Sequence, residues 1–200
     1  MFNYSSRAFI ALFILLSVSF VYAQTRVVVI PLGGDDVPAS IVYAIGDPGP
    51  AGGTVFHVTN SGLNGLEAAP VDQASAPWNC NGTDVEGVNN VTNTGTPDSN
   101  SGAVNTPLIA VACPGAETNA AVRAAVYVWP NGQRDGFLPN REELALLYAQ
   151  RNIVGGFAST LYWSSSELSG SNAWFQDFVN GNQIESNKFG KIGVRAVRAF

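Results

Sequence analysis

This chain is poor in the residues from which most active sites are built. Its 200 residues hold one histidine, one methionine, two cysteines and only 12% charged side chains. The sole imidazole, His57, lies within "TVFHVT" and has no acidic neighbour in sequence. A serine nucleophile needs a base within hydrogen-bond reach, ordinarily histidine or lysine. The run Ser164–Ser166 shows neither a nucleophile elbow nor a Ser-x-x-Lys spacing, although Lys188 and Lys191 follow it in the chain. Two thiols and one distant imidazole likewise make a poor zinc set. The expectation is a chain that is not an enzyme and carries no cofactor.

Positive charge is scarce too. Ten Lys and Arg stand against fifteen Asp and Glu, a net charge of −5. Residues 60–115 contain no Lys or Arg at all. Binding to nucleic acid or anionic lipid requires clustered cations, so both partners are excluded from the expectation. Apolar runs are equally few. The one long run is "FIALFILLSVSF", preceded by Arg7 and followed by "VYA" at Val21–Ala23. It is shorter than the roughly 20 residues a membrane span needs, and its flanks read as an export signal. Residues 1–23 are therefore expected to be a cleaved signal peptide. The mature chain is expected to be secreted, periplasmic or at the cell surface, without membrane insertion after cleavage.

What the sequence has in abundance is Gly, Asn, Ser and Thr. Residues 24–44 read as an N-terminal arm or linker carrying one β-branched run, Val27–Ile30. "IGDPGPAGG" reads as tight turns leading into a strand, "GTVFHV". Residues 60–115 read as one long irregular loop region, of the kind that is usually functional or disordered. In an oxidising compartment Cys80 and Cys113 are expected to pair. A helix is expected over 117–129, with Ala121, Ala124, Ala125 and Val128 on one face. Asn140, three residues before Glu143, starts another with a capping box and the stripe Leu144, Leu147, Tyr148. The strands "LYWSSS", "NAWFQDFV", "QIES" and "KIGVRAVRAF" follow, with Asn180–Gly181 as a type I′ hairpin turn. The order predicts an α+β fold ending in an antiparallel meander.

At residues 45–200 the chain resembles the DUF1566 family, the C-terminal domain of the Legionella collagen-like adhesin. The resemblance rests on "GFLPNREEL" (136–144), "YWSSSE" (162–167), "AW" (173–174) and "VRAVRAF" (194–200), and on "IGDPGPAGGTVFHV" and "GLEAAPVDQ" in the N-terminal half. Gly136 departs from the family pattern, which usually places an aromatic residue there. The resemblance implies a C-type-lectin-like domain: two helices with an antiparallel sheet, a long irregular loop region and paired terminal strands. It places "GTVFHV" in one sheet with "KIGVRAVRAF". The namesake domain is an adhesive module that recognises sulfated polysaccharide.

The candidate ligand-binding residues are Trp78, Asn79, Asn81, Asp84, Asp98 and Asn100, all in the loop region. Trp78 reads either as an exposed stacking platform or as a loop anchor, whereas Trp163 and Trp174 read as core. Asp84, Glu86 and Asp98 are weak candidates for calcium. Cys80 and Cys113 are expected to be structural, as is Glu167 in a pair with Arg195 or Arg198. The expected function is an exported, non-catalytic binding or adhesion module, displaying its loops to a neutral glycan or protein ligand. The alternative is a structural or assembly subunit whose N-terminal arm forms a homo-oligomer.

Overall fold

The computed structural model describes residues 40–113 and 119–200. The expected signal peptide and the Val27–Ile30 run lie outside them.

The domain begins with the Gly- and Pro-rich turns. Gly46 and Gly52 take φ of 93° and 86°, a region that L side chains rarely enter. The turn closes through Gly49 N–H to Gly53 C=O (2.8 Å). It delivers β1 (Thr54–Thr59), which pairs antiparallel with β2 (Asn64–Ala68). β3 (Gln73–Ala76) follows, and then a long segment without strand or helix. The helices are α1 (Gly102–Ala112), α2 (Ala120–Ala125), α3 (Arg141–Ala149) and the single turn α4 (Arg151–Val154). Five strands complete the chain: β4 (Leu161–Glu167), β5 (Asn172–Asp177), β6 (Gln183–Asn187), β7 (Ile192–Val194) and β8 (Val197–Ala199). They form two sheets, β1-β2-β8 and β3-β7-β4-β5-β6. The α+β class is therefore present.

Three expectations need correction. First, 60–115 is not one irregular region, because it contains β2, β3 and α1. The face that α1 buries is Gly102, Asn105, Thr106 and Ile109, at helical spacing but with a single large apolar residue. Hydrophobic periodicity cannot reveal such a helix. Second, the helix expected over 117–129 is only α2. Ala121 and Ala124 are buried as read, but Val128 lies past the helix end and is 46% exposed. Third, Asn180–Gly181 is no two-residue turn. Gly181 has φ of 84° while Asn180 stays negative, and Gly181 N–H closes the loop on Asp177 C=O (2.7 Å). A type I′ turn needs positive φ at both positions.

The last strand divides between the sheets. β7 pairs with β3 and, parallel, with β4, while β8 pairs with β2. Arg195 and Ala196 are the hinge. Thus "GTVFHV" shares a sheet only with the second half of "KIGVRAVRAF", and β2 stands between them, so the terminal strands are not direct partners. α3 forms as expected: Asn140 Oδ1 accepts from Glu143 N–H (2.8 Å) and Glu143 Oε2 accepts from Asn140 N–H (2.8 Å).

The apolar interior has two parts. One gathers Trp78, Trp129 and Trp163 with small alanines. The other packs Phe56, Leu144, Leu147, Tyr162 and Phe178 between α3 and the sheets. The bare Gly136 has a local cause: a Cβ there would lie 2.9 Å from Ala124 O and 3.0 Å from Trp129 Nε1. Trp129 fills the space that a side chain at 136 would need.

Glu67 joins the first sheet to the opening turns. It is fully buried and accepts from Ala51 N–H (3.0 Å), Gly53 N–H (2.9 Å) and Arg198 Nη1 (3.0 Å). Removing one partner of a buried pair leaves an uncompensated charge. Glu67→Ala is therefore expected to lower unfolding free energy by about 3 kcal/mol, read by urea denaturation. A loss within about 0.5 kcal/mol, the range of ordinary surface substitutions, would show that Glu67 is dispensable.

Candidate functional site

The segment 77–101 between β3 and α1 has no strand or helix, only a parallel bridge of Asn90 to Glu167. Its backbone groups must therefore be met elsewhere: some by backbone, as Gly82 N–H on Gly170 O (2.7 Å) and Val91 N–H on Glu167 O (2.8 Å), and others by buried side chains. Trp78 is fully buried; its indole Nε1 donates to Ser164 O (2.9 Å) and its ring lies 4.6 Å beneath Lys188 Nζ. It is the loop anchor and not an exposed platform. Cys80 and Cys113 form the expected disulfide, with Cα atoms 5.2 Å apart, tying the loop to the end of α1.

Glu167 is the next anchor, with a partner other than the arginines expected. It pairs with Lys188, and both side chains are fully buried. Val85 N–H donates to both carboxylate oxygens (3.2 and 3.1 Å), and Lys188 Nζ also donates to Thr83 O (3.1 Å). Burial pushes the Glu167 carboxyl up, and the adjacent Lys188 pulls it back down. The arginines are used elsewhere. Arg195 binds Asp72 (2.7 Å) and the carbonyls of Ala69 and Gly156, and Arg198 binds Glu67 and Asp135 (2.7 Å).

Farther along, Trp174 Nε1 donates to Val91 O (2.8 Å). Arg141 stacks on the Trp174 ring (4.3 Å) and donates to Asn93 O and Thr94 O (both 3.0 Å). Asp98 turns inward. Its carboxylate accepts from Ser166 Oγ (2.6 Å), Asn105 Nδ2 (3.0 Å) and Asn100 N–H (3.0 Å). Asn100 Nδ2 donates to Gly87 O (2.8 Å), and Asn100 O accepts from Asn140 Nδ2 (2.7 Å). The serine run is spent in the same way: all three serines are fully buried, and Ser164 Oγ donates to Trp174 O (2.9 Å).

The loop residues singled out from sequence thus divide. Trp78, Asp98 and Asn100 hold the segment from inside. Asn79 and Asn81 are half-buried, and Asn79 has φ of 75°. Asp84 and Glu86 are exposed. Asp98 is buried away from both, and no group of acidic, His or Cys side chains able to hold a metal is found among the described residues. Sequence reasoning missed Lys188, Arg141 and Asp72. Nothing in their local sequence marks them, because each partner lies more than twenty residues away.

What remains outside is a polar surface: Gly82–Asp84, Glu86, Gly87, Asn90, Thr92–Pro97 and Ser99 are exposed. Beside Thr94 it borders an open cleft of about 510 Å³ whose seven lining residues include Ala145, Gln176, Gly181, Asn182 and Gln183. None of the seven is charged. Compared with known proteins, the chain matches no family model and no curated relative.

Glu143 locks the far end of the segment, because its Oε2 also accepts from Gly102 N–H (3.0 Å) at the start of α1. Burial raises its carboxyl above the ordinary 4.5, against the pull of the Asn140 and Gly102 amides. The folded state then holds this proton more tightly than the unfolded chain does. That contribution is complete below the unfolded value and is lost as pH rises through the folded one. The unfolding free energy of the wild type minus that of Glu143→Gln is expected to fall with rising pH over the window that opens at the ordinary carboxylate value of 4.5. A difference that grows over this window would reverse the assignment.

Proposed function

We propose that this chain is an exported, non-catalytic binding module that presents the 79–101 face and its neighbouring cleft to a neutral glycan or protein ligand. The observation that carries the reading is an irregular surface fixed from below. Buried Trp78, Glu167, Lys188, Arg141 and Asp98, with the disulfide, hold a segment that has no regular structure of its own. Its ordering is then met on folding and not on binding, which is what preorganisation means for affinity. Asn, Ser, Thr and Gly at the surface supply adaptable hydrogen bonds, as they do in antibody loops.

Charge supports the neutral ligand. Asp84 and Glu86 are exposed on this face, and the segment has no Lys or Arg to meet a sulfate or phosphate. A disulfide supports the oxidising compartment. No helix among the described residues is long and apolar enough to cross a membrane. The C-type-lectin-like plan over 45–200 belongs to the same proposal. It is supported by β1 and β8 in one sheet and by the loop segment hung on the other.

A neutral-glycan array and a pull-down on cell-surface extract test the reading. Binding is expected, and Thr92→Arg with Thr94→Arg, both exposed, is expected to weaken it at least tenfold without moving the unfolding midpoint. Blank results in both assays under several ionic conditions would sink the proposal. A companion outcome concerns charge: the protein is expected to pass through a heparin column at physiological salt. Retention abolished by substitutions within 79–101 would show that this face reads anions.

A further inference from the structure

We infer a second binding site, at the opposite end of β4 from the loop face, that takes a small organic monocarboxylate with an apolar body. The seven residues of β4 separate the two by roughly 20 Å. The site is an open pocket of about 460 Å³ whose walls include Arg151, Gly156, Phe157, Thr160, Phe178 and Val179. Arg151 is the one charged side chain in the lining, and no carboxylate lines it. Arg151 is preset: its guanidinium stacks 4.0 Å over the Tyr148 ring and Nη1 donates to Tyr148 O (3.0 Å). That leaves Nε and Nη2 for a ligand, the fork that suits a carboxylate.

The backbone adds to this. Gly155 and Gly156 both take positive φ, 65° and 69°, so the chain turns sharply at the pocket wall. The N–H groups of Gly156, Phe157 and Thr160 meet no acceptor among the described residues. Neighbouring N–H groups do have carboxylates: Asp72 accepts from Ala158 (2.8 Å) and Ser159 (3.3 Å), and Asp177 Oδ1 accepts from Val179 (2.8 Å). Asp72 is also bound by Arg195 and the Tyr162 hydroxyl (2.7 Å), so it is already committed. A cation, unpartnered amides and the Thr160 hydroxyl therefore line a pocket whose own walls include no carboxylate. Phe157, Phe178 and Val179, the last 69% exposed, give the apolar wall beside them. An apolar pocket with a few convergent polar groups is the usual form of a small-ligand site. A bare inorganic anion would leave that wall wet, and a neutral apolar molecule would leave the donors unmet.

Phenylacetate is the probe, titrated into the purified protein and followed by backbone amide resonances. Saturable shifts are expected at Gly156, Phe157 and Thr160. The neutral isostere phenylacetamide is expected to bind at least tenfold more weakly, and Arg151→Gln to lose at least tenfold for phenylacetate alone. Val179→Glu sets a negative charge at the mouth from an exposed position, and the same loss is expected there should Arg151→Gln disturb α4. The inference is overturned by absence of saturable shifts, by equal affinity for acid and amide, or by unchanged affinity in both variants. Sulfate binding as tightly as phenylacetate would also overturn it, since the apolar wall would then contribute nothing. Failure here leaves the glycan-array outcome untouched, because the substituted residues belong to different ends of the sheet.

Discussion

The loop face depends on one buried ion pair, Glu167 with Lys188. Removing both charges from water costs several kcal/mol per ion, and the pair recovers this only when its remaining hydrogen-bond capacity is filled. Here it is filled by the loop itself: Val85 N–H on the carboxylate and Thr83 O on the ammonium. Withdrawing the segment would strip both ions of these partners at once. The pair therefore acts less as a source of net stability than as a latch that admits one conformation of the segment. Trp78 reinforces it, with its ring face toward the ammonium and its indole N–H on β4.

The same economy recurs wherever the chain uses charge. Glu67 gathers the opening turns, Asp72 the segment after α4, Asp98 the start of α1, and Arg141 the loop carbonyls. Each side chain fixes backbone that no sheet or helix satisfies, and each bridges elements distant in sequence. A chain with so few charges that buries this many has few left for its surface. Its outer polarity then comes from amides and hydroxyls, which explains how a protein rich in Asn, Ser and Thr presents a defined shape.

This division also sets what the sequence could reveal. Local grammar was readable: the Asn140 capping box, the Gly46–Gly53 turns, the cores of β4 and β5, and the disulfide. Long-range choices were not. Glu167 was expected to find an arginine of the last strand because a buried arginine there needs an acidic partner. Topology instead brings β6 beside β5, and its following residue Lys188 beneath the loop. "KIGVRAVRAF" read as one continuous strand, whereas the chain breaks at Arg195–Ala196 to serve two sheets. Trp78 shows the limit for the site: its polar neighbours left platform and anchor equally open, and its burial is decided by Ser164 and Lys188, 86 and 110 positions later. α1 escaped because it packs through Asn105 and Thr106, whose hydrogen bonds to Asp98 and Leu138 replace apolar contact.

The position of β4 gives these observations a common frame. At its Glu167 end the backbone carries a face without cations, held by charges that are already paired. At its Leu161 end the chain leaves Arg151 and several amides without an anion. The strand between is buried along nearly its whole length, and its serines tie it to β5, the Pro139 turn and Asp98. A rigid strand of this kind holds the two ends apart with little freedom to couple them. The two proposed ligands, one neutral and one anionic, would then not compete for the same donors. The scarcity of charge makes that separation workable, since Lys188 and Arg141 are held beneath the loop face and Arg151 stands at the other end.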